Sequence, residues 1–465
     1  MKQKISKTII KKFKHELLYT ILIPFYIGDN EGYSLNRSIK KEDLKKGDFI
    51  SKKVIEKNSQ FFDYIENIYM DNDNVNYFEA SENIIKDLEL LLFRIGKQKI
   101  QKIFIYSAID SMAILGIEIK FKRLNTIEEI YKQRKDINAS IKFSTLKDYI
   151  QNLFNLDNNK KILYFDSYTS KDKKTDMMRF HSFTTLISHS PNKPLSDLIK
   201  KNIASYFLNE LSIEFLINKN SFYEIHPFVG GSIYCSSEGI LFIYEKNIYN
   251  KSLTNKFMNN KKNYILKKSI LFCYIINLHE FYKLHYIKTK LTDIFLKTNN
   301  IWHINRKEKE KLDQLEEDFV LLSSQYCITI PSNYEWIRKT YDNIFLTLKT
   351  KDYLLEINNS LVFYKNYIEK IIEEERDNYY KKLDILVKFF TSASLLNALI
   401  SICFEIITLH CQNDNSKFNS WLIIGTWISV GLTLIYIICA CTLVRRINLY
   451  RKKSKKHSSK KESRK

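Results

Sequence analysis

The sequence predicts a cytosolic α/β domain, a long helical stalk and two C-terminal transmembrane helices. Two segments with almost no charge predict the membrane helices. Phe389 to Cys411 has 23 residues with one acid and no Lys or Arg, and Trp421 to Val444 has 24 residues with no charge. Each is longer than the ~20 residues that cross the hydrocarbon core of a bilayer as a helix. The chain is therefore predicted to be a membrane protein.

Basic residues flanking the two segments predict their orientation. Lys381, Lys382 and Lys388 precede the first segment, and the tail at 445–465 carries 11 Lys or Arg and one acid. The connecting loop at 412–420 carries one Lys and one Asp. Because positive charge favours the cytoplasmic side, we expect a multi-pass protein of the cell (inner) membrane with both termini cytoplasmic. The basic tail also suits contact with anionic membrane lipid.

The composition of the whole chain argues against several classes of protein. The chain has 465 residues and a net charge of +22, but only 10 Gly and 5 Pro, which argues against low-complexity architecture. Richness in Lys, Asn, Ile and Tyr is typical of an AT-rich genome, so we do not predict direct nucleic-acid binding. The seven Cys form no CxxC motif, which favours a reducing cytosol over a disulfide scaffold.

Residues 1–300 are predicted to form the cytosolic α/β sensor domain, followed by the stalk at 301–388. Predicted strands are 17–27, 103–109, 113–121, 162–165 and 233–244, and predicted helices are 82–95, 195–209 and 264–284. The clearest hairpin is FVGGSIYCSSEGILFIY, from Phe228 to Tyr244, turning between Ser236 and Gly239.

No catalytic signature accompanies this domain, so no enzyme is predicted. The sequence has no GxxxxGK[ST], GxGxxG or GxSxG motif. His279-Glu280 is followed by His285, but the second histidine comes six residues after the first instead of four. These histidines therefore do not match a zinc-protease helix, and His181, His189 and His226 are interpreted as structural. The ligand-binding residues remain unknown from the sequence.

The stalk is predicted to be one continuous helix that enters the first span. No Pro or Gly occurs between Pro331 and Gly425, so the helix is expected to run from 333 to about Cys411. Apolar residues at steps of three and four predict a packing seam along it. The seam comprises Ile337, Tyr341, Ile344 and Leu348, then Leu354, Ile357, Leu361, Tyr364, Ile368 and Ile371, and later Tyr379, Leu383, Leu386 and Phe390. The step of six from Leu348 to Leu354 interrupts it.

Within the first span, at 389–411, the same spacing selects polar residues. They are Ser394, Asn397, Ser401, Glu405, Thr408 and Gln412. A polar stripe with a mid-span carboxylate predicts a pore-lining helix, because a symmetric ring turns each residue into a ring of identical groups and carboxylate rings favour cations. The alternative is that these side chains hold helices together. His410, Asn413, Asp414 and Asn415 form a predicted outer mouth, and Glu405 and Asp414 are candidate metal ligands.

The order of a cytosolic α/β domain, a stalk helix, a span, a short outer loop, a second span and a basic tail resembles the CorA-like metal ion transporters. That resemblance implies a homo-oligomer, a pentamer, with the first span lining the pore. The chain departs from the family at its Gly-Met-Asn signature, which occurs nowhere in this sequence. The stretch Thr408 to Asn415 stands in its place.

A second departure is the length of about 300 residues before the stalk. In this length and in the missing Gly-Met-Asn, the chain resembles the CorA-like proteins that are encoded beside type III CRISPR systems. This implies an antiviral membrane effector, an ion channel gated by a nucleotide second messenger such as adenylated S-adenosylmethionine. A divalent cation transporter for Mg2+, with Glu405, Asn413 and Asp414 as the filter, is the alternative. A third hypothesis is a non-conducting membrane anchor whose cytosolic domain binds a protein.

Overall fold

The computed structural model describes the chain in segments, which form two compact units. The described residues are 15–29, 33–34, 39–45, 47–52, 75–92, 98–108, 112–124, 143–157, 159–164, 181–188, 195–208, 223–228, 230–237, 239–245, 261–299, 306–323, 332–410, 423–428, 430–431, 434–435 and 438. The first unit comprises Met1–Leu291 with Gln314–Ser360, and the second comprises Thr292–Asp313 with Leu361–Lys465.

A single mixed sheet dominates the first unit. Among the described residues its ten strands are β1 (His15–Asp29), β2 (Phe49–Ser51), β3 (Val75–Ala80), β4 (Gln98–Ala108), β5 (Met112–Leu124), β6 (Lys160–Tyr164), β7 (His181–Ser188), β8 (Tyr223–Phe228), β9 (Gly231–Ser236) and β10 (Gly239–Glu245). The order is β2-β3-β4-β5-β1-β7-β10-β9-β8, and β6 also pairs with β1. The β7–β10 pair is parallel and the other pairs are antiparallel.

The described α-helices range from 11 to 61 residues. They are α1 (Glu82–Leu92), α2 (Phe143–Leu153), α3 (Asp197–Leu208), α4 (Lys261–Asn299), α5 (Arg306–Leu321), α6 (Glu335–Thr347) and α7 (Thr350–His410). In the first unit, α1 packs on β3 and β4, α3 on β9 and β10, and α6 on β8 and β9.

Strand β1 lies in the middle of the sheet and is covered on both faces. It pairs with β5 on one side, and with β7 and then β6 on the other. Phe25 and Tyr26 point to opposite faces because successive residues of a strand alternate. Phe25 contacts Phe154 with ring centroids 5.7 Å apart, and Tyr26 contacts Tyr286 of α4 at 5.2 Å. Burial on both faces explains why the sequence of β1 is an almost continuous apolar run.

Helix α4 is a core helix, contacted by several strands from one face of the sheet. Tyr106 of β4 meets Phe272 at 6.2 Å, and Glu118 of β5 accepts a 2.7 Å hydrogen bond from Lys267. His181 of β7 contacts Tyr274 further along the helix. Most residues between 269 and 291 are buried, as expected for a helix surrounded on most of its sides.

The structure confirms the main sequence predictions for this unit. The strands predicted at 17–27, 103–109, 113–121 and 162–165, the hairpin of β9 and β10, and the helices at 82–95, 195–209 and 264–284 are all present, with shifted ends. Strands β2, β3, β7 and β8 and helix α2 were missed. The segment HSFTTLIS, which forms β7, carries too many hydroxyl side chains to stand out as a strand.

The predicted single helix from 333 to 411 is wrong at one position. Helix α6 ends at Thr347, α7 begins at Thr350, and between them Lys349 has a φ of 56°. A left-handed backbone conformation cannot continue a right-handed helix. The break falls inside the interruption of the apolar seam, between Leu348 and Leu354.

Among the described residues, α7 is the one helix long and apolar enough to cross a membrane, by length and composition, and the qualifying stretch is Thr350–Ile407. In the second predicted span, residues 423–428, 430–431, 434–435 and 438 are helical. The rest of that segment, the outer loop at 412–420 and the basic tail lie outside the described residues. Two transmembrane helices therefore remain a prediction.

Candidate functional site

Four polar residues of the first span share one face of α7. Helix α7 is continuous over 61 residues, which corresponds to a length of about 90 Å. At 3.6 residues per turn, Ser394, Asn397, Ser401 and Glu405 fall within an arc of roughly 80°. The Ser401 hydroxyl also donates to the backbone carbonyl of Asn397 at 3.0 Å, which satisfies that hydroxyl within the helix. These four residues of the predicted stripe therefore lie on one side of α7, and we call them the polar face.

The side chains of the polar face differ in exposure. Ser394, Ser401 and Glu405 are exposed, whereas Asn397 is half-buried. The Asn397 Oδ1 atom is buried and has no hydrogen-bond partner among the described residues. Polar side chains in a membrane segment seldom face lipid, so this face is suited to water or to another copy of the chain.

The other predicted site residues are not placed with their side chains. The backbone of Thr408 and His410 belongs to α7, but their side chains lie outside the described part of the structure. Gln412, Asn413, Asp414 and Asn415 also lie outside the described residues. Within the described ranges, no group of three His, Cys, Asp or Glu residues is arranged to hold a metal ion. The outer mouth, and the roles of Glu405 and Asp414 as metal ligands, therefore remain predictions.

The second predicted span contacts α7 beside the polar face, through Phe404 and Gly425. A Cβ atom added to Gly425 would lie 2.3 Å from the Phe404 ring, so only glycine allows this approach. Gly425 is buried and Phe404 is half-buried. Small residues at helix interfaces are typical of membrane proteins because they bring two helices into close contact. Ser394, Ser401 and Glu405 remain exposed beside this contact.

The opposite side of α7 carries exposed apolar residues. Leu395, Leu399, Ile402 and Ile406 expose 65%, 52%, 51% and 61% of their surface. These residues fall on the far side of the helix from the polar face. Between 394 and 406, α7 therefore carries a polar face and, opposite it, exposed apolar residues.

Below the span, the apolar seam of α7 is covered in its first part and uncovered in its second. Leu361 and Ile368 are buried, and the Tyr364 ring stacks on Phe295 with centroids 5.0 Å apart. This part of the predicted seam is confirmed. By contrast, Tyr379 and Phe390 expose 63% and 55% of their surface. The segment 379–390 therefore presents an apolar surface that this single chain leaves uncovered.

In the first unit, α4 contacts the helices on both sides of the break at Lys349. Tyr341 of α6 donates to Glu280 of α4. At the start of α7, Tyr353 packs on Phe281 at 5.3 Å, and Lys288 lies 2.8 Å from Glu356. Burial, together with the Glu280 carboxylate, raises the pKa of Tyr106 well above its usual value. The sheet, α4 and the first turns of α7 are thus connected by direct contacts.

His181 occupies a defined polar environment against α4. Its Nδ1 atom lies 3.0 Å from the Tyr274 hydroxyl, and its Nε2 atom lies 2.8 Å from the Tyr282 hydroxyl. Burial lowers the pKa of this imidazole to about 4. His181 is therefore neutral at physiological pH, as its interpretation as a structural residue requires. Its two tyrosine partners were not recognisable in the sequence, since they lie on α4, 93 and 101 residues away.

Comparisons with known proteins give little further information. Neither a protein-family model nor a curated protein matches this chain. Among solved structures, the chain is similar to the soluble domain of CorA from Methanocaldococcus jannaschii, with 15% identity over 45% of this chain and 91% of that chain. The TM-score is 0.15, which is too low to support a shared fold. The resemblance to CorA therefore rests on the sequence pattern alone.

Proposed function

We propose that this protein is a CorA-like membrane channel in which several copies place the first span around a cation pathway. The observation that carries the proposal is the polar face of α7, whose Ser394, Ser401 and Glu405 remain exposed beside the Phe404–Gly425 contact. In a ring of copies these side chains would line the axis. Repeated carboxylates at Glu405 favour cations over anions.

Assembly into a homo-oligomer is supported by the uncovered surface at 379–390. Tyr379, Leu383 and Phe390 continue the apolar seam but are exposed in the single chain. Exposed apolar surfaces of this kind usually mark an interaction site. In the proposed oligomer, a second copy covers this apolar surface and brings the polar faces of adjacent copies together. The number of five copies comes from the resemblance alone.

Gating by a nucleotide second messenger in type III CRISPR antiviral defence is the finer part of the proposal. It comes from the sequence resemblance, from the long segment before the stalk and from the missing Gly-Met-Asn. The contacts of α4 support a mechanical route, because this helix touches the sheet and also the first turns of α7 through Phe281 and Lys288. A ligand that favours one packing of the sheet on α4 would bias the start of α7.

A divalent cation transporter is the second candidate, favoured by the exposed Glu405 carboxylate in the middle of the span. Such a protein would conduct Mg2+ without a nucleotide. The two candidates share the pathway and differ in what opens it.

The test is ion flux in liposomes that contain the purified protein and a fluorescent divalent-cation reporter. Flux is recorded with and without nucleotide messengers, including adenylated S-adenosylmethionine, at low and high Mg2+. We compare the native protein with Glu405→Gln and with Glu374→Gln, a matched variant of an exposed glutamate on α7 outside the span. We expect Glu405→Gln to reduce cation flux about tenfold or more and Glu374→Gln to leave it unchanged.

The outcomes separate the candidates. Flux that requires a nucleotide supports the gated channel, whereas flux without nucleotide that falls at high Mg2+ supports the transporter. Absence of flux under every condition, with intact oligomers, would overturn both and leave the non-conducting anchor. Equal flux from the two glutamate variants would remove Glu405 from the pathway.

A further inference from the structure

A groove runs along one side of α7 where the first span begins. It has a volume of about 350 Å³. Its lining residues are Lys388, Thr391, Ser392, Leu395, Leu396 and Leu399. All six side chains are exposed in the single chain, so the groove is open to its surroundings. We call it the Lys388 groove.

The polarity of the Lys388 groove changes along the helix axis. The end nearest the stalk carries one ammonium group and two hydroxyls, from Lys388, Thr391 and Ser392. The other end is lined by leucines, of which Leu395 and Leu399 expose 65% and 52% of their surface. From Lys388 to Leu399 the helix rises about 16 Å, which is close to half the thickness of the hydrocarbon core of a bilayer. The groove therefore has the length and the polarity of one lipid leaflet.

The Lys388 groove lies on the side of α7 that faces away from the second predicted span. Phe404, which contacts Gly425, is nine residues after Leu395, and nine residues are two and a half helical turns. The two side chains therefore point in opposite directions. The polar face also lies opposite the groove. If the polar face turns towards the axis of the proposed channel, the groove turns towards lipid.

The basic end of the groove is held in place by a weak ion pair. The Lys388 ammonium group lies 2.7 Å from the Asp384 carboxylate, one turn earlier, and the two side chains are 75% and 57% exposed. An exposed pair of this kind contributes little, so a phosphate group can compete with the carboxylate for the ammonium group. The Thr391 and Ser392 hydroxyls donate to backbone carbonyls of α7. Because a hydroxyl rotates, each can donate to a phosphate oxygen instead.

We infer that the Lys388 groove binds one anionic phospholipid of the cytoplasmic leaflet, with the phosphate at Lys388 and an acyl chain along the three leucines. Anionic lipids give this leaflet its negative surface charge, which attracts basic side chains next to a membrane span. The acyl chain covers the exposed leucines, so charge and apolar surface are matched by one molecule. The inference rests on the membrane position of α7 in the proposed function, but it does not depend on conduction.

The test is lipid binding to the full-length protein in detergent, measured by native mass spectrometry. The probes are phosphatidylglycerol, which is anionic, and phosphatidylcholine, which has no net charge. Lys388→Gln removes the charge of the groove, and Lys382→Gln is its matched control, because six residues place Lys382 about 120° away around the helix. Leu396→Trp fills the groove without changing its charge. Leu409→Trp is the matched control, since Leu409 is exposed near the other end of the span.

We expect the native protein to bind phosphatidylglycerol more tightly than phosphatidylcholine. Lys388→Gln should weaken binding of phosphatidylglycerol about fivefold, the effect of one basic side chain at an anionic surface, and Lys382→Gln should change it little. Leu396→Trp should also weaken binding, whereas Leu409→Trp should not. Asp384→Asn should strengthen it, because the carboxylate no longer competes with the phosphate. An excess of inorganic phosphate should not displace the lipid, since the leucines hold its acyl chain.

Three results would overturn the inference. They are equal binding of the two lipids, equal effects of the two lysine variants, and displacement of the lipid by inorganic phosphate, which would make the groove a site for phosphate from solution. A chain that leaves the membrane fraction in alkaline carbonate without detergent would contradict the proposed channel itself. A chain that stays in the membrane and conducts cations, but does not prefer phosphatidylglycerol, would contradict the lipid site alone.

Discussion

The Tyr341 hydroxyl lies 3.0 Å from one carboxylate oxygen of Glu280 and 2.8 Å from the other. Its single hydrogen is therefore shared between both oxygens of a fully buried carboxylate. Tyr341 is on α6 and Glu280 is on α4. A hydrogen bond to a charged group is stronger in a buried site than in water, because the surrounding medium screens it less. This contact therefore fixes α6 against the core helix.

Removing that hydroxyl should destabilise the first unit. We expect Tyr341→Phe to lower the free energy of unfolding by about 1.5–3 kcal/mol, since the buried carboxylate loses a donor. Denaturant unfolding of the purified protein measures the change. Tyr334→Phe is the matched control because Tyr334 is 52% exposed, and it should change stability little. Similar small effects of both substitutions would show that the hydroxyl contributes nothing.

The contact of Gly425 with Phe404 of α7 gives a prediction on two glycines. We expect Gly425→Ala to destabilise the protein by about 1–3 kcal/mol, because its Cβ atom would overlap the Phe404 ring. Gly431→Ala is the control, since nothing lies within 4 Å of a Cβ atom there. Thermal unfolding in one detergent compares the two variants. Equal midpoints would contradict the close approach of Gly425 to Phe404.

The break between α6 and α7 predicts opposite effects of glycine at two lysines. Lys349 has a φ of 56°, a conformation that costs an ordinary residue about 1–2 kcal/mol. Glycine adopts this conformation without that steric cost, so Lys349→Gly should raise the free energy of unfolding by up to about 1 kcal/mol. Lys370→Gly, inside α7, should lower it by about 1 kcal/mol. Denaturant unfolding tests the signs, and destabilisation by both changes would mean that α6 and α7 form one helix.

Acidification should destabilise the protein through His181. Its pKa is lowered to about 4 in the folded protein, whereas the unfolded chain has the ordinary value near 6.5. Between these values the unfolded state binds more protons, so this contribution is complete above pH 6.5 and is lost as the pH falls towards 4. The slope is at most about 1.4 kcal/mol per pH unit.

The measurement is the difference in unfolding free energy between pH 7 and pH 5. His181→Gln, which does not titrate, should show a smaller loss of stability on acidification than the native protein. An identical pH dependence of the two proteins would exclude His181 as a source of the effect.

The sequence was most informative where one physical requirement dominates. The apolar run of β1 reflects burial on both faces, and the turn between Ser236 and Gly239 joins β9 to β10 as its residues suggest. The seam from Leu361 to Ile368 follows from helical spacing. In each case, residues that are close together in the sequence are enough to predict the feature.

The remaining features depend on residues far apart in the chain. The left-handed conformation at Lys349 could not be predicted from a glycine, because this position is a lysine. The interruption of the apolar seam lies at the same place. Ser182 faces Gly239 only because β7 and β10 are parallel neighbours, and His181 finds its tyrosines on α4. No local pattern contains these pairings, so the sequence could not predict them.

The central position of β1 has a consequence for synthesis of the protein. This strand leaves the ribosome before every strand that pairs with it, since β5 begins at Met112, β6 at Lys160 and β7 at His181. Its apolar residues must therefore stay unpaired, and accessible to chaperones, while the next hundred or so residues are translated. Contacts between distant parts of a chain form slowly, and unpaired apolar strands are prone to aggregate. The earliest part of the sheet to be made is thus among the last to be completed.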